Sequence, residues 1–474
     1  MSSPIKFGTD GWRGIIAQDF TFDNVRVCAQ SVANYVSNAG LSGRGLVIGY
    51  DTRFASEDFA AATAEVIAAN GIKVYLCQQA APTPVIGYTI LNEKAGGGII
   101  ITASHNPAAW NGIKFKTEHA TSASSQVTAE LERHIATIHE AKDVPRLPIE
   151  EATRKGMVHP LNPYPAYLEH IESLVDIERL RGAGLKVVVD SMYGAGAGYF
   201  RDILGRGATK VIELHGERNP LFPGIQPEPI ARNLAALCTR VRRTRASVGL
   251  ATDGDADRIG VVDERGVFVT PLQVFALLAL YLIEVCGTRG AIVKSITSTS
   301  MLYRLGELYG VPVFETPVGF KYIAAKMMEE DAIIGGEESG GFGFRDNILE
   351  RDGILSGLYF LDLMTRLGKT PTELLDYLYG KIGPHFYERL DIHFPQEQRE
   401  AIIHRLNIFR PSHLDDTAVD EVDTEDGFRY LLSDRSWLLV RFSGTEPILR
   451  IYAESDSIER VRRLLEEGRK MVGV

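Results

Sequence analysis

Four short segments of this 474-residue chain gather side chains that could do chemistry together. The first, Thr102-Ala103-Ser104-His105-Asn106-Pro107, follows an apolar run. A serine hydroxyl at a strand end can accept a group covalently if it is activated or meets a reactive donor; the same residues also read as a plain turn closed by Asn106-Pro107. No GxSxG elbow surrounds Ser104 and His105 is its chain neighbour, so Ser-His-Asp acyl chemistry fits poorly. The second, Asp253-Gly254-Asp255-Ala256-Asp257-Arg258, packs three carboxylates into five positions. That is unfavourable unless a cation neutralises them, and hard oxygen ligands suit Mg²⁺. An EF-hand is excluded because Arg258 stands where glycine is required and strands flank the loop; a solvated acidic turn is the competing reading. Arg258 adds a cation that could hold a phosphate. The third, Gly336-Glu337-Glu338-Ser339-Gly340-Gly341, offers a carboxylate and a hydroxyl to polyol hydroxyls, or is an exposed turn. The fourth, Arg441-Phe442-Ser443-Gly444-Thr445-Glu446-Pro447, joins a guanidinium to a loop whose successive N–H groups form an anion nest, or is a hairpin turn. Together they make a covalent acceptor, a metal site, polyol contacts and a phosphate clamp, the parts of a sugar-phosphate phosphotransfer site.

Short apolar strands alternating with helical patterns must position these loops, and that alternation is the grammar of parallel α/β units. One unit runs strand 46–50, helix 56–70, strand 73–77 and strand 98–102; a second runs strand 185–190, helix 197–204, strand 210–214, helix 233–245 and strand 248–252; a third runs strand 291–296, helix 300–309, strand 311–315, helix 321–330 and strand 332–335. Each ends a strand at one of the first three loops, so they read as three related domains, with ligands expected beyond the strands' carboxyl ends. From about Pro384 the pattern changes to strand 388–394, helix 396–409, an acidic stretch 415–426 read as a solvated loop, strands 428–432, 437–442 and 449–454, and helix 458–471, a small α+β domain with an antiparallel sheet. The expected domains are 1–150, 151–258, 259–380 and 381–474, with the proline- and charge-rich stretch 142–165 as a boundary.

Length alone asks for roughly three to four domains at ~100 to 200 residues each. Composition, 45% hydrophobic and 24% charged, excludes a disordered or fibrous chain. A net charge of −10 argues against nucleic-acid partners, so an anionic substrate must meet locally gathered cations. Cys28, Cys77, Cys238 and Cys286 are scattered without a CxxC pair and read as reduced core thiols of a cytoplasmic protein. The N-terminus lacks the apolar run of a signal peptide, and the longest apolar stretch, 274–285, is too short for a membrane span.

The ordered motifs TASHNP, DGDADR, GEESG and RFSGTEP, one per domain, together with the opening Phe7-Gly8-Thr9-Asp10-Gly11-Trp12-Arg13-Gly14, resemble the α-D-phosphohexomutase family over essentially the whole chain. Phosphoglucomutases and phosphomannomutases belong to that family. The resemblance implies three α/β/α domains with mixed sheets and a smaller C-terminal α+β domain around one central cleft. It implies a phosphoserine at Ser104, Mg²⁺ held by Asp253, Asp255, Asp257 and a phosphoserine oxygen, and Arg13, Arg258 and Lys114 beside them, with Lys114 or His105 moving the hydroxyl proton. It further implies sugar contacts from Glu337 and Ser339 and a distal phosphate clamp of Arg441, Ser443, Gly444 and Thr445. The reaction implied converts a hexose 1-phosphate into a hexose 6-phosphate through a 1,6-bisphosphate that turns around in the cleft, with glucose 1,6-bisphosphate as activator and a mobile fourth domain closing over it. In Gly319-Phe320-Lys321, bifunctional phosphomannomutases often have histidine, and phosphoglucosamine mutases aspartate, where Phe320 stands. The aromatic therefore looks more like phosphoglucomutases, and the expected pair is glucose 1-phosphate and glucose 6-phosphate, with mannose and glucosamine phosphates open. Lys321 either contacts substrate phosphate or opens the following helix. A non-catalytic sugar-phosphate-binding protein and a phosphatase are the competing classes; monomer and dimer are both open.

Overall fold

The computed structural model describes residues 5–8, 10–138, 141–442 and 448–473. The first sheet has the strand order Trp12–Ile15, Trp110–Lys116, Gly98–Ile101, Leu46–Tyr50, Val74–Cys77, Val158–Leu161. Runs such as Leu46-Val47-Ile48 and Ile99-Ile100-Ile101 are apolar on both faces because helices cover both sides, as parallel sheets require. The second sheet runs Phe268–Val269, Ile259–Val262, Val248–Thr252, Lys186–Asp190, Lys210–Leu214, and the third runs Val313–Thr316, Ile292–Ser295, Ile334–Gly336, Phe342–Phe344.

One three-strand unit recurs in all three sheets. A strand parallel to its neighbour (Gly98–Ile101 beside Leu46–Tyr50, Val248–Thr252 beside Lys186–Asp190, Ile334–Gly336 beside Ile292–Ser295) ends in a loop and returns antiparallel to itself as Trp110–Lys116, Ile259–Val262 or Phe342–Phe344. The first three loops with chemistry in the sequence are these three reversals. The fourth sheet is antiparallel, Phe386–His393, Ile448–Ser455, Trp437–Phe442, Phe428–Leu432, Thr417–Asp423, His413–Leu414. Its helix Ile458–Val472 buries Val461, Leu464, Leu465 and Met471 at helical spacing against the sheet.

The first three domains share a continuous apolar core that runs from Val85 and Ile86 through Tyr167 and Phe200 to Phe275, Leu358 and Leu363. The apolar stretch 274–285 lies inside it, in the helix Pro271–Leu280 and the π-helical turn that follows. Among the described residues no helix is long and apolar enough to cross a membrane.

Three expectations change. The first sheet takes in Val158–Leu161, paired parallel with Val74–Cys77, beyond the expected limit at 150; the second takes in Ile259–Val262 and Phe268–Val269, so position 258 falls between paired strands. The acidic stretch is not a loop. Thr417–Asp423 is a strand that packs Val419 and Val422 against the domain core, and within the stretch Asp415 pairs with Arg463, Asp423 with Arg429 and Asp426 with Arg441. Of the four free cysteines, only Cys28 and Cys77 are buried; Cys286 is exposed.

Candidate active site

Ser104 sits just past the end of Gly98–Ile101 and is buried. Its backbone has φ +51°, a left-handed conformation that non-glycine residues adopt at a cost of order 1–3 kcal/mol and that clusters at functional sites. The turn is held locally, since the Ser104 amide donates to Thr102 Oγ1 at 2.9 Å. The Ser104 hydroxyl donates to Asp253 Oδ2 at 2.9 Å and lies 3.3 Å from His105 Nδ1. Gly254 makes the close approach of the two loops possible: a Cβ there would lie 2.3 Å from the Ser104 carbonyl oxygen.

Asp253, Asp255 and Asp257 are fully buried, and each offers a carboxylate oxygen within 4.8 Å of the other two. Burial, then the charges of Asp255 and Asp257, push the Asp253 carboxyl well above its usual range. Burial also disfavours the Asp255 anion, but the Lys114 ammonium overcomes it and holds that carboxyl low. Asp255 Oδ1 and Asp257 Oδ1 are buried with no hydrogen-bond partner. Orphaned carboxylate oxygens in a cluster of hard donors are what a Mg²⁺ ion satisfies, so these residues fit the metal.

Cations surround the cluster. Lys114 Nζ lies 2.8 Å from Asp255 Oδ2, 2.8 Å from Asp10 Oδ2 and 3.5 Å from Asp257 Oδ2. Burial works against its charge, but these three carboxylates outweigh it and keep Lys114 protonated. Arg13 donates to Asn106 Oδ1 at 2.6 Å on the serine loop. Arg258 Nε lies 3.9 Å from Asp257 Oδ1, buried and without a hydrogen bond, and its Nη1 lies 3.7 Å from Glu228. Burial and the nearby Arg258 and Arg13 lower the His105 pKa well below its usual value, so the ring is neutral and can accept a proton from a hydroxyl.

The sugar-loop candidates reach the same place. Gly340, at φ +86°, has no room for a Cβ because the Ile259 carbonyl would lie 2.7 Å from it, and its own carbonyl accepts from the Ile259 amide at 3.0 Å. Glu337 is mostly buried, and burial raises its carboxyl despite Arg351 and Arg258. Ser339 Oγ is buried without a partner, so a hydrogen-bonding position is open on the hydroxyl expected to meet sugar. Glu338 between them faces the fourth domain, where Arg389 and Tyr387 donate to it.

The second loop of the third domain departs from expectation. The Phe320 ring is buried with Val293, Ile323, Ala324 and Met327, and the Arg351 guanidinium lies 5.6 Å from its ring centre. Gly319, φ +134°, opens the helix Phe320–Glu329, and Lys321 donates to Ser125 Oγ of the first domain at 3.1 Å. Arg441 donates to Asp426 Oδ1 at 3.0 Å, and Asp426 Oδ2 accepts from the Val318 amide. Ser443, Gly444 and Thr445 lie outside the described residues.

Residues 4–142, 165–266, 270–382 and 400–471 match, in turn, the families "Phosphoglucomutase/phosphomannomutase, alpha/beta/alpha" domain I, domain II and domain III and the phosphoglucomutase/phosphomannomutase C-terminal domain. The chain belongs to the phosphoglucomutase/phosphomannomutase family. It is 32% identical over 468 residues to a "Phosphoglucomutase/phosphomannomutase" of Thermococcus kodakarensis, 98% of each chain being covered. It is 33% identical over 469 residues to a "Probable phosphoglucosamine mutase" of Methanothermobacter thermautotrophicus, covering 98% of this chain and 97% of the other. Among solved structures, a "putative phosphomannomutase" from Thermus thermophilus superposes with a TM-score of 0.87 at 36% identity over the full length of both chains. Members of the phosphoglucomutase/phosphomannomutase family are isomerases, intramolecular phosphotransferases, and so is this protein.

The sequence reading missed the ion lattice beneath the family's loops. Arg351 reaches Asp257 at 2.8 Å, Asp10 at 2.9 Å and Glu337 at 3.4 Å, which ties the metal loop, the N-terminal segment and the sugar loop to one guanidinium. Beside it Lys116 binds Glu350 at 2.5 Å and Asp10 at 3.0 Å. The one sequence signal was the charged triplet Glu350-Arg351-Asp352 directly before the helix Gly353–Leu367, which is buried along most of its length.

Proposed function

We propose that the enzyme interconverts hexose 1-phosphates and hexose 6-phosphates through a phosphorylated Ser104 and a bound hexose 1,6-bisphosphate. The observation that carries this reading is the Ser104 hydroxyl, buried in a left-handed turn and hydrogen-bonded to one carboxylate of a three-Asp cluster. Asp253, Asp255 and Asp257 would hold Mg²⁺ together with an oxygen of the phosphorylated serine. A Mg²⁺ ion bound there supplies positive charge against the oxygens of a phosphoryl group in transfer. Phosphoserine 104 gives its phosphoryl group to a free sugar hydroxyl, and the P–O bond to Ser104 breaks as the bond to the sugar forms. His105, neutral and beside Ser104 Oγ, takes the hydroxyl proton and returns it to the departing Ser104 oxygen, while Arg13, Arg258 and Lys114 supply fixed positive charge at the dianion. Glu337 and Ser339 meet sugar hydroxyls in both orientations of the bisphosphate, and Arg441 binds the distal phosphate with Ser443, Gly444 and Thr445. Closing of the fourth domain excludes water that would hydrolyse the phosphoserine.

Glucose 1-phosphate and glucose 6-phosphate are the first pair in this reading. Glucosamine phosphates are the second, because a relative 33% identical over nearly its whole length is named for that sugar and because Phe320, the residue that favoured glucose, is a core residue. Intact mass after incubation with glucose 1,6-bisphosphate, and coupled assays on glucose, mannose and glucosamine 1-phosphates with Mg²⁺, test the reading. Full activity in Ser104→Ala would remove the covalent mechanism; phosphate release in place of isomerisation would make the protein a phosphatase.

A further inference from the structure

Against the serine loop lies Arg53, completely buried just past the first-domain strand Leu46–Tyr50. Its guanidinium donates to four backbone carbonyls of one loop: Nη2 to Ser104 O and Asn106 O, both at 2.6 Å, and Nη1 to Pro107 O and Trp110 O, both at 3.0 Å. The planar fork is fixed from its other sides. Asp51 Oδ2 lies 3.2 Å from its Nε, and the Phe222 ring, carried by the second domain, lies 5.1 Å from the guanidinium carbon. Asp51 also accepts from Thr102 Oγ1 at 2.6 Å, and that same Thr102 oxygen accepts the Ser104 amide. Arg53 therefore holds the serine from two directions, at its carbonyl directly and at its amide through Asp51 and Thr102.

We propose that Arg53 is a positioning residue for phosphoryl transfer at Ser104, and that it sets the aim of the serine oxygen by fixing the peptide planes of the Ser104–Trp110 loop. The inference rests on the reading of Ser104 as the phosphorylated residue. Its physical basis is the dipoles. Carbonyl oxygens facing a phosphoryl dianion repel it, and this guanidinium engages four of them as hydrogen-bond acceptors. Arg13 and Gln226 also hold this loop, at Asn106 Oδ1 and the His105 carbonyl, but only Arg53 binds four of its carbonyls at once, and Ser104 keeps its left-handed φ only where its surroundings over-determine it. Arg53 is completely buried and its terminal nitrogens are bound to loop carbonyls, so it takes no part in holding the sugar. Removing its fork should therefore misplace the reacting oxygen while leaving substrate affinity intact.

The test is Arg53→Lys, which keeps the charge but loses the planar fork, with Thr102→Val, which cuts the relay to the Ser104 amide, as the second variant. Each is assayed on whichever of glucose, mannose or glucosamine 1-phosphate the wild-type enzyme turns over. Mass spectrometry follows the rate at which glucose 1,6-bisphosphate phosphorylates Ser104, so that kcat is expressed per phosphorylated serine. Misplacement by a fraction of an ångström to 1 Å predicts a fall of about 10- to 100-fold in both rates for Arg53→Lys, and a smaller fall for Thr102→Val, with KM nearly unchanged. A purely structural role would lower the amount of folded enzyme but leave kcat per phosphorylated serine at the wild-type value. That result in Arg53→Lys, or in Thr102→Val if the first variant does not fold, overturns the proposal. A wild-type enzyme that isomerises none of the three sugars would instead refute the functional reading and not the role of Arg53 in the loop.

Discussion

Lys116→Met tests the ion lattice that joins the first and third domains beneath the site. Lys116 is almost wholly buried, with Nζ at 2.5 Å from Glu350 Oε2, 3.0 Å from Asp10 Oδ1 and 2.8 Å from Ser122 Oγ. Methionine fills a similar volume without the charge. Asp10 keeps Lys114 at 2.8 Å and Arg351 at 2.9 Å, so it stays compensated. Glu350 keeps the Ser122 hydroxyl at 2.6 Å, the Arg351 amide at 3.1 Å and the Arg351 guanidinium at 3.5 Å, but loses its 2.5 Å ammonium partner. Stranding one partner of a buried pair costs about 3–5 kcal/mol, and here nearly all of that falls on Glu350. The pH dependence follows. In the wild type, burial opposes the Glu350 anion but Lys116 and Arg351 hold its carboxyl below the unfolded value, so this pair's contribution is complete at neutral pH and is lost as pH falls through that depressed value. In the variant burial dominates and the folded carboxyl rises above the unfolded value, so the folded state escapes the penalty by taking up a proton, and its stability falls as pH rises. The gap between wild type and Lys116→Met should therefore be small near pH 5 and widen toward pH 8. Urea or thermal unfolding at both pH values, with Lys116→Met/Glu350→Gln as a companion, measures it. The double variant should recover most of the loss at pH 8. An equal gap at both pH values with no recovery in the double variant would show that the loss comes from packing and not from a stranded carboxylate.

Gly254→Ala should fold but place a methyl group 2.3 Å from the Ser104 carbonyl; steady-state kinetics should show kcat reduced by up to about 100-fold as the metal loop is pushed off the serine loop. Asp255→Asn removes a candidate ligand charge, and a Mg²⁺ titration of activity should show at least about a tenfold higher requirement; EDTA should abolish wild-type turnover and added Mg²⁺ restore it. Phe320→His puts a polar ring into the core under Arg351, so differential scanning fluorimetry should show a lower melting temperature. Turnover of all three sugars should fall by a common factor in that variant, and a switch toward mannose 1-phosphate would place the side chain in the cleft.

The α/β order and the three site loops were legible because each depends on local pattern. Ile99-Ile100-Ile101 and Leu250-Ala251-Thr252 are short apolar runs that stop at polar, glycine-bearing turns, and both the strand and its end are written within a few residues. Arg351 and Lys116 were not legible because their partners are distant in sequence: Asp10 is 341 positions from Arg351, and Glu350 is 234 from Lys116. No spacing rule links such residues. The burial of Phe320 was hidden for another reason. Its neighbours Gly319 and Lys321 suggested a cleft loop, but the helix begins at 320, and a first-turn residue points inward or outward according to how the helix packs on its sheet, here inward beside Ile323 and Ala324. The acidic stretch was read by charge, while the alternation Thr417-Ala418-Val419 that makes it a strand was masked by the Asp and Glu around it.

The way the domains are joined bears on what can move during a turnover. The first three share one apolar core, so a change in their relative positions would expose packed surface such as Phe200 against Gly357. The fourth domain has its own core and meets the third through the small cluster of Ile296, Trp437, Leu439 and Tyr452 and through polar contacts. Glu454 accepts from the Ser300 amide and the Trp437 indole, Glu315 binds Arg429, and Glu338 binds Arg389. Polar contacts can exchange protein partners for water with little net change in free energy, whereas apolar surface cannot. Any widening of the cleft is therefore expected at this joint, with the serine, metal and sugar loops held relative to one another by the shared core. One of the residues across the joint, Glu338, lies between Glu337 and Ser339, so the attachment of the fourth domain and the residues expected to contact the sugar occupy the same short loop.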